Sequence, residues 1–123
     1  REYDENTLIT YSKYWIEAQK RVELKKERYG FFKTHNARIK LKKNYYTNEL
    51  TTCGFIYISR DPRDVVLSYS KHINKDINAT IDLLNEDKIM GGYKTDNRML
   101  EILLSWKDHY RSWKNLTKVP SLF

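Results

Sequence analysis

An apolar run that ends in an arginine, followed by a helix that carries a serine, is the segment best suited to chemistry. Residues 56–69 read IYISRDPRDVVLSY, so Arg60 directly follows the apolar run and Ser68 lies about two helical turns further on. The planar donor fork of a guanidinium matches a phosphate group. Ligands of open α/β sheets bind outside the carboxyl ends of the strands, where Arg60 falls. Arg60 and Ser68 therefore predict a site for a phosphate-like anion.

A purely structural interpretation of the same segment is also open. In that interpretation Arg60 pairs with Asp61 or Asp64, and the Ser68 hydroxyl donates a hydrogen bond to a carbonyl of its own helix. The anion site requires that both side chains remain available to a ligand.

A second group of polar side chains, Lys33-Thr34-His35, ends an earlier predicted strand. A neutral His35 could take a proton from an incoming hydroxyl. The ammonium of Lys33 could stabilise charge that grows on a transferred group. If the two strands are parallel and close, His35 and Arg60 open on the same edge of the sheet. The structural alternative is a histidine bonded to the backbone and a lysine at the surface.

Helical periodicity and capping residues predict the helices that position these groups. Asp61 is the expected N-cap of one helix, with Pro62 at its first position and Asp64 as its capping-box partner. The predicted helices run from about Thr10 to Glu27, from Pro62 to Ile73, from Asn78 to Lys88 and from Arg98 to Trp113.

Strands are predicted between these helices, at Phe31–His35, Thr51–Ser59 and Val119–Phe123. The basic stretch 36–50 is expected to be an irregular connection, and Gly91-Gly92 marks a loop. Strands that alternate with helices imply an α/β sandwich around a mostly parallel sheet.

Composition limits the classes of function and site. The 123 residues suffice for a single domain, and the net charge of +7 favours an anionic partner. One cysteine excludes an internal disulfide, and the Cys and His spacing suits no zinc site. No apolar run reaches the roughly 18 residues of a membrane span, so we expect a cytoplasmic protein.

Three motifs in the same order resemble the sulfotransferase family, whose members use 3′-phosphoadenosine 5′-phosphosulfate (PAPS). Their spacings agree with the family pattern over residues 29–123. The motifs are Lys33-Thr34-His35, the segment from Tyr57 to Tyr69 with its Arg60 and Ser68, and Trp106-x-x-His109-x-x-x-Trp113. The resemblance implies a P-loop NTPase-like α/β sandwich, a parallel sheet flanked by helices.

The resemblance also implies roles for four residues. Arg60 and Ser68 would hold the 3′-phosphate of PAPS. His35 would be the general base that deprotonates a hydroxyl or amine acceptor, and Lys33 would steady the sulfuryl group or the bridging oxygen. No metal is implied, because the transferred group is already activated. By contrast, we interpret Trp106 and His109 as core and sheet contacts, and His72 as a residue of the helix surface.

The sequence departs from the family pattern at both ends. Neither the N-terminal phosphate loop, a Pro-Lys-Ser-Gly-Thr-like turn, nor the C-terminal Gly-rich nucleotide-binding segment is present. We therefore expect residues 1–123 to form a single partial domain that lacks part of the active site. Nothing in the loops 36–50 and 85–96 selects a class of acceptor.

Two other functions stay open. One is a catalytically inactive relative that still binds the nucleotide. The other is a basic module for nucleic acid or a sulfated glycan, with Tyr45 and Tyr46 as stacking platforms. Its cations would be Lys25, Lys26, Arg28, Arg38, Lys40, Lys42 and Lys43. The charges are spread over most of the chain and no nucleic-acid fold signature appears, so we expect no nucleic-acid partner.

Overall fold

The regular structure of the described part of the chain consists of helices and of very short strands. The computed structural model describes residues 5–24, 29–86, 89–90 and 101–123. The helices are α1 (Glu5–Ser12), α2 (Trp15–Lys20), α3 (Pro62–Ile73), α4 (Ile77–Asn85) and α5 (Trp106–Lys114). The strands are β1 (Lys40–Leu41), β2 (Asn44–Tyr45), β3 (Phe55–Ile56), β4 (Ile89–Met90), β5 (Glu101–Ile102) and β6 (Ser121–Leu122).

One parallel strand pair carries the α/β character of the chain. β3 and β6 pair in parallel, with Phe55 opposite Ser121 and Ile56 opposite Leu122. A parallel pair needs a long crossover connection, and here α3, α4 and α5 all lie between the two strands in the chain. The other two pairs are antiparallel, β1 with β2 and β4 with β5.

α3 forms where its capping residues predict it. The Asp61 carboxylate accepts a hydrogen bond from the backbone N–H of Arg63 at 2.9 Å, and Pro62 occupies the first turn. The helix ends at Asn74, whose φ of 52° is the left-handed conformation common at C-termini. The prediction of a helix from Pro62 to Ile73 is thus confirmed. The next helix, α4, also forms close to its prediction, although residues 87–88 lie outside the described residues.

The single helix predicted from Thr10 to Glu27 is wrong, because the chain turns between α1 and α2 at Lys13 and Tyr14. Ser12 is buried at this turn, and its hydroxyl accepts a hydrogen bond from the side-chain amide of Asn44 at 2.9 Å. A buried polar anchor at the end of α1 ties it to the β1–β2 hairpin. Residues 25–27 of the prediction lie outside the described residues.

The helix predicted from Arg98 to Trp113 is wrong over its first half. Residues 101–102 form β5, Leu104 has a left-handed φ of 62°, and α5 begins after Ser105. The hydroxyl of Ser105 caps α5 by accepting from the backbone N–H of Asp108. Leu104 therefore separates strand from helix where the apolar spacing suggested one continuous helix. Residues 98–100 and Gly91-Gly92 lie outside the described residues.

The strand predictions are only partly right. No strand forms at Phe31–His35, and Phe31 is 88% exposed. The strand predicted at Thr51–Ser59 is reduced to Phe55–Ile56, because β3 has β6 as its one neighbour among the described strands. The stretch expected to be irregular, 36–50, contains the β1–β2 hairpin. The strand predicted near the end of the chain is present as β6.

Aromatic rings form a cluster around Trp113. Trp113 is only 7% exposed, and its ring centroid lies 5.1 Å from that of Phe55 and 6.5 Å from that of Tyr46. The rings of Tyr57 and Phe123, whose centroids lie 5.6 Å apart, extend this cluster. This cluster packs α5 against the β3–β6 pair. The buried apolar side chains of the described residues are Leu8, Ala37, Ile102, Trp113 and Leu116. Of the helices in the described ranges, none has the length and apolar character needed to cross a membrane.

We expect replacement of Trp113 by phenylalanine to lower the free energy of unfolding by about 1–3 kcal/mol. The indole N–H donates to the backbone carbonyl of Asn36 at 3.0 Å, and the substitution leaves that carbonyl without this donor. Urea denaturation followed by circular dichroism measures the change. Trp106→Phe is the matched control, because Trp106 is 36% exposed and should change stability by about 0.5 kcal/mol or less. Equal losses in the two variants would contradict this role of Trp113.

Candidate active site

Arg60 and Ser68 line one open hollow on the surface of α3. The hollow has a volume of about 640 Å³, and its remaining lining residues are Asp64, Leu67, Lys71 and His72. A smaller adjoining hollow is lined by Arg60, Val65, Ser68, Tyr69 and His72. The structure thus brings together the two side chains that the strand–arginine–helix–serine pattern singled out.

The charges around this hollow are predominantly cationic. Arg60 and Lys71 line it together with Asp64, whose Oδ2 lies 4.0 Å from the Nε of Arg60. The two side chains of this ion pair are 63% and 58% exposed, and a pair so exposed stabilises the fold by only about 0–1 kcal/mol. The ion pair expected by the structural interpretation is therefore present, but it holds Arg60 weakly.

Ser68 and Arg63 differ in how far their donors are already used. Within the part of the chain that the structure describes, no hydrogen bond is made by the Ser68 hydroxyl. The guanidinium of Arg63, in contrast, binds the Asp61 carboxylate at 2.6 Å and holds the pKa of that carboxyl below its usual range. Arg63 does not line the hollow. Ser68 is thus available to a ligand, while Arg63 is committed to the start of the helix.

Lys33 and His35 have exposed side chains, and the backbone of the segment is bonded at His35. The carbonyl oxygen of His35 lies 3.1 Å from Nε2 of His109, and the Thr34 hydroxyl lies 2.7 Å from the phenol oxygen of Tyr46. The sequence predicted that a parallel strand would bring His35 to the edge that carries Arg60. Hydrogen bonds to α5 and the β1–β2 hairpin position this segment instead.

Asn36 continues this anchoring. Its side-chain oxygen accepts from the backbone N–H of Ile102 at 2.8 Å, and its carbonyl accepts from the Trp113 indole. The two following amides are also bonded: that of Ala37 to the Ile102 carbonyl at 2.7 Å, and that of Arg38 to the Ser112 hydroxyl at 2.9 Å. Sequence reasoning missed Asn36, which it assigned to an irregular connection. The available signal in the sequence was the amide side chain that directly follows the polar residues Lys33-Thr34-His35.

His109 joins this segment to β3. Its Nδ1 lies 2.8 Å from the hydroxyl oxygen of Tyr57, and its Nε2 faces the His35 carbonyl. Burial lowers the pKa of His109, partly offset by the bond to His35, and burial raises the pKa of Tyr57. The prediction of a core and sheet contact is confirmed for His109, which is half-buried and bonded to Tyr57 beside β3, but it is wrong for Trp106, which is 36% exposed. Tyr57 was missed as a polar partner, although it is a hydroxyl-bearing residue inside an apolar strand.

The basic loop that could have bound nucleic acid is engaged with its own tyrosine. The guanidinium carbon of Arg38 lies 5.2 Å, and the ammonium of Lys40 4.9 Å, from the centroid of the Tyr45 ring. A ring on which two cations already pack is a poor platform for a base. Among the residues with described positions, no three Cys, His, Asp or Glu side chains are grouped to hold a metal ion.

Comparison with protein families gives one result that covers almost the whole chain. The model of the sulfotransferase domain matches residues 4–123, a range that contains every candidate residue named above. Searches of curated proteins and of solved structures returned no significant match.

We expect the free energy of unfolding to fall as the pH drops below about 6.5, the ordinary pKa of histidine. The folded-state pKa of His109 is depressed, so the unfolded chain binds the proton at higher pH than the folded chain. The stabilisation is present above the unfolded-state pKa and is lost as the pH falls through the lower folded-state pKa. Urea denaturation at a series of pH values measures this loss.

The control for this pH dependence is the exposed His72. His109→Gln should remove the component of the pH dependence that begins near pH 6.5, and His72→Gln should retain it. The lowered pKa of Asp61 acts in a more acidic range, so its contribution is separable. The same pH dependence in both variants would show that His109 is not its source.

Proposed function

Because the chain belongs to the sulfotransferase family, we propose that it transfers a sulfuryl group from PAPS to a hydroxyl or amine acceptor. The observation that supports the proposal is the shared hollow of Arg60 and Ser68, at the family spacing of eight residues. The parallel β3–β6 pair, with three helices between its strands, favours a P-loop NTPase-like α/β sandwich as the fold.

The residues of the hollow fit a phosphate group. Arg60 offers a fork of N–H donors, and Ser68 offers a hydroxyl that the described chain does not use. Lys71 adds a positive charge on the same side, and the exposed Asp64 is displaced from Arg60 at little cost. We assign the 3′-phosphate of PAPS to Arg60 and Ser68.

The catalytic roles are assigned to Lys33 and His35, in the segment before Asn36. PAPS supplies a sulfuryl group whose bond to a phosphate oxygen breaks, with the electron pair leaving on that oxygen, as the acceptor attacks sulfur. His35 accepts the proton that the acceptor hydroxyl or amine loses. The Lys33 ammonium stabilises the negative charge that develops on the transferred group or the bridging oxygen. Positioning and electrostatics account for the rate, and no residue forms a covalent bond to the substrate.

We expect Arg60→Ala to weaken the binding of 3′-phosphoadenosine 5′-phosphate roughly 10- to 100-fold. Hydrogen bonds to a charged group are worth about 1.5–3 kcal/mol, and about 1.4 kcal/mol is tenfold in affinity. Ser68→Ala removes one neutral donor and should weaken binding less. Isothermal titration calorimetry measures both constants.

Arg63→Ala is the matched control for Arg60→Ala. It removes the same unit of charge three residues further along the chain, but from a guanidinium that is bound to Asp61 outside the hollow. Its affinity should stay within about twofold of the unaltered protein, since exposed charges at a distance are screened. If both arginine variants lose affinity equally, or neither does, the phosphate assignment is wrong.

We expect His35→Ala to lower kcat roughly 10²- to 10⁴-fold, the usual contribution of a general base. The dissociation constant of 3′-phosphoadenosine 5′-phosphate should not change, because His35 is not assigned to the nucleotide. Transfer of labelled sulfate from PAPS to a panel of alcohols and amines measures kcat. An unchanged kcat would overturn the assignment of the base. A protein that binds the nucleotide but sulfates no acceptor would favour the catalytically inactive relative.

A further inference from the structure

One imidazole ring connects the two halves of the candidate site. The ring of His109, on α5, lies 3.1 Å from the carbonyl oxygen of His35 and 2.8 Å from the hydroxyl of Tyr57. Tyr57 directly follows β3 and precedes Arg60 by three residues. The segment with the proposed base and the strand that leads to the phosphate-binding arginine therefore meet at His109.

The hydrogen-bond partners fix the tautomer of this ring. A backbone carbonyl can only accept, so Nε2 must carry the proton that it shares with His35. In a neutral imidazole Nδ1 then has no proton and accepts from the Tyr57 hydroxyl. Half-burial of the ring beside Tyr57 disfavours the charged form, which keeps this arrangement at neutral pH.

The bond to His35 matters because little else holds that residue. No strand forms at residues 31–35, and the side chains of Lys33 and His35 are exposed. The neighbouring residues are held elsewhere, Thr34 by Tyr46 and Asn36 by β5 and Trp113. Within the described residues, the hydrogen bond that His35 itself makes is the one from its carbonyl oxygen to His109.

We propose that His109 is a positioning residue for sulfuryl transfer, which sets the place of His35 relative to the segment that leads from β3 through Tyr57 to Arg60. The inference rests on the proposed function and adds a role for the Nε2–H donor of His109 and the Tyr57 hydroxyl that orients it. A displacement of about 1 Å in a catalytic group can cost roughly 10²-fold in rate. Loss of the donor should therefore lower kcat without changing how the nucleotide binds.

A pair of amide variants separates the two nitrogens of the ring. In His109→Asn the side-chain oxygen can replace Nδ1 as acceptor for Tyr57, but the amide is too short to reach His35. In His109→Gln the longer side chain places a donor near the position of Nε2. We expect His109→Asn to lower kcat roughly 10- to 100-fold, with the KM for PAPS within about twofold, and His109→Gln to recover most of the rate.

Steady-state kinetics with PAPS and an accepted alcohol, on variants with native circular dichroism spectra, provides the test. Equal kcat values for His109→Asn and the unaltered protein would overturn the inference, as would a rise in KM for PAPS without a fall in kcat. Equal losses in the Asn and Gln variants would also overturn it, because the donor could then not be the cause.

A measurement on the unaltered protein does not depend on the folding of a variant. Histidine ¹⁵N spectra should show His109 as the Nε2-protonated tautomer at neutral pH, and the Nδ1-protonated form or a rapid mixture would overturn the inference. A failure of this inference can be distinguished from a failure of the proposed function. A protein that binds no 3′-phosphoadenosine 5′-phosphate and transfers no sulfate overturns both, whereas normal transfer by His109→Asn overturns the inference alone.

Discussion

Hydrogen bonds from α5 and β5 to the backbone of residues 35–38 are the constraint on which the candidate site depends. This segment has no strand partner of its own, so its polar backbone groups are satisfied by His109, Ser112, Trp113 and Ile102. Buried backbone groups need such partners, because an unpaired one costs about as much as a lost hydrogen bond. The apolar packing of Trp113 on Phe55 holds α5 where these donors and acceptors can act.

The anion hollow rests on a different kind of support. It needs only one well-capped helix, α3, whose start is fixed by Asp61. Arg60 directly precedes this cap, Ser68 lies in the second turn, and both line the hollow. Local interactions thus build the hollow of Arg60 and Ser68, and long-range interactions build the side with Lys33 and His35. The two sides depend on each other through Tyr57, which directly follows β3 on the way to α3 and whose hydroxyl bonds the ring that holds His35.

Sequence reasoning succeeded where the determinants are local and failed where they are not. The capped helix after Arg60 follows from residues that lie next to each other in the chain. The break at Ser12 depends on Asn44, and the strand at Ile102 depends on Asn36. Neither partner is visible in a local pattern. The motif spacings indicated which side chains to consider, but the contacts that hold the Lys33–His35 segment could not be derived from them.

The two hydrogen bonds of Asn36, one through its side chain and one through its backbone carbonyl, have a consequence for local unfolding. Its side chain is bound to β5 and its carbonyl to α5, and the amide of Ala37 is bound to β5 as well. Separation of either element releases the same short segment, so these bonds form one cooperative unit rather than a set of independent contacts. Amide hydrogens of Ala37, Arg38 and Ile102 then exchange with solvent through a common opening event. In that open state His35 is detached from His109 while α3 keeps its caps, so the Lys33–His35 segment loses its place before the hollow of Arg60 and Ser68 does.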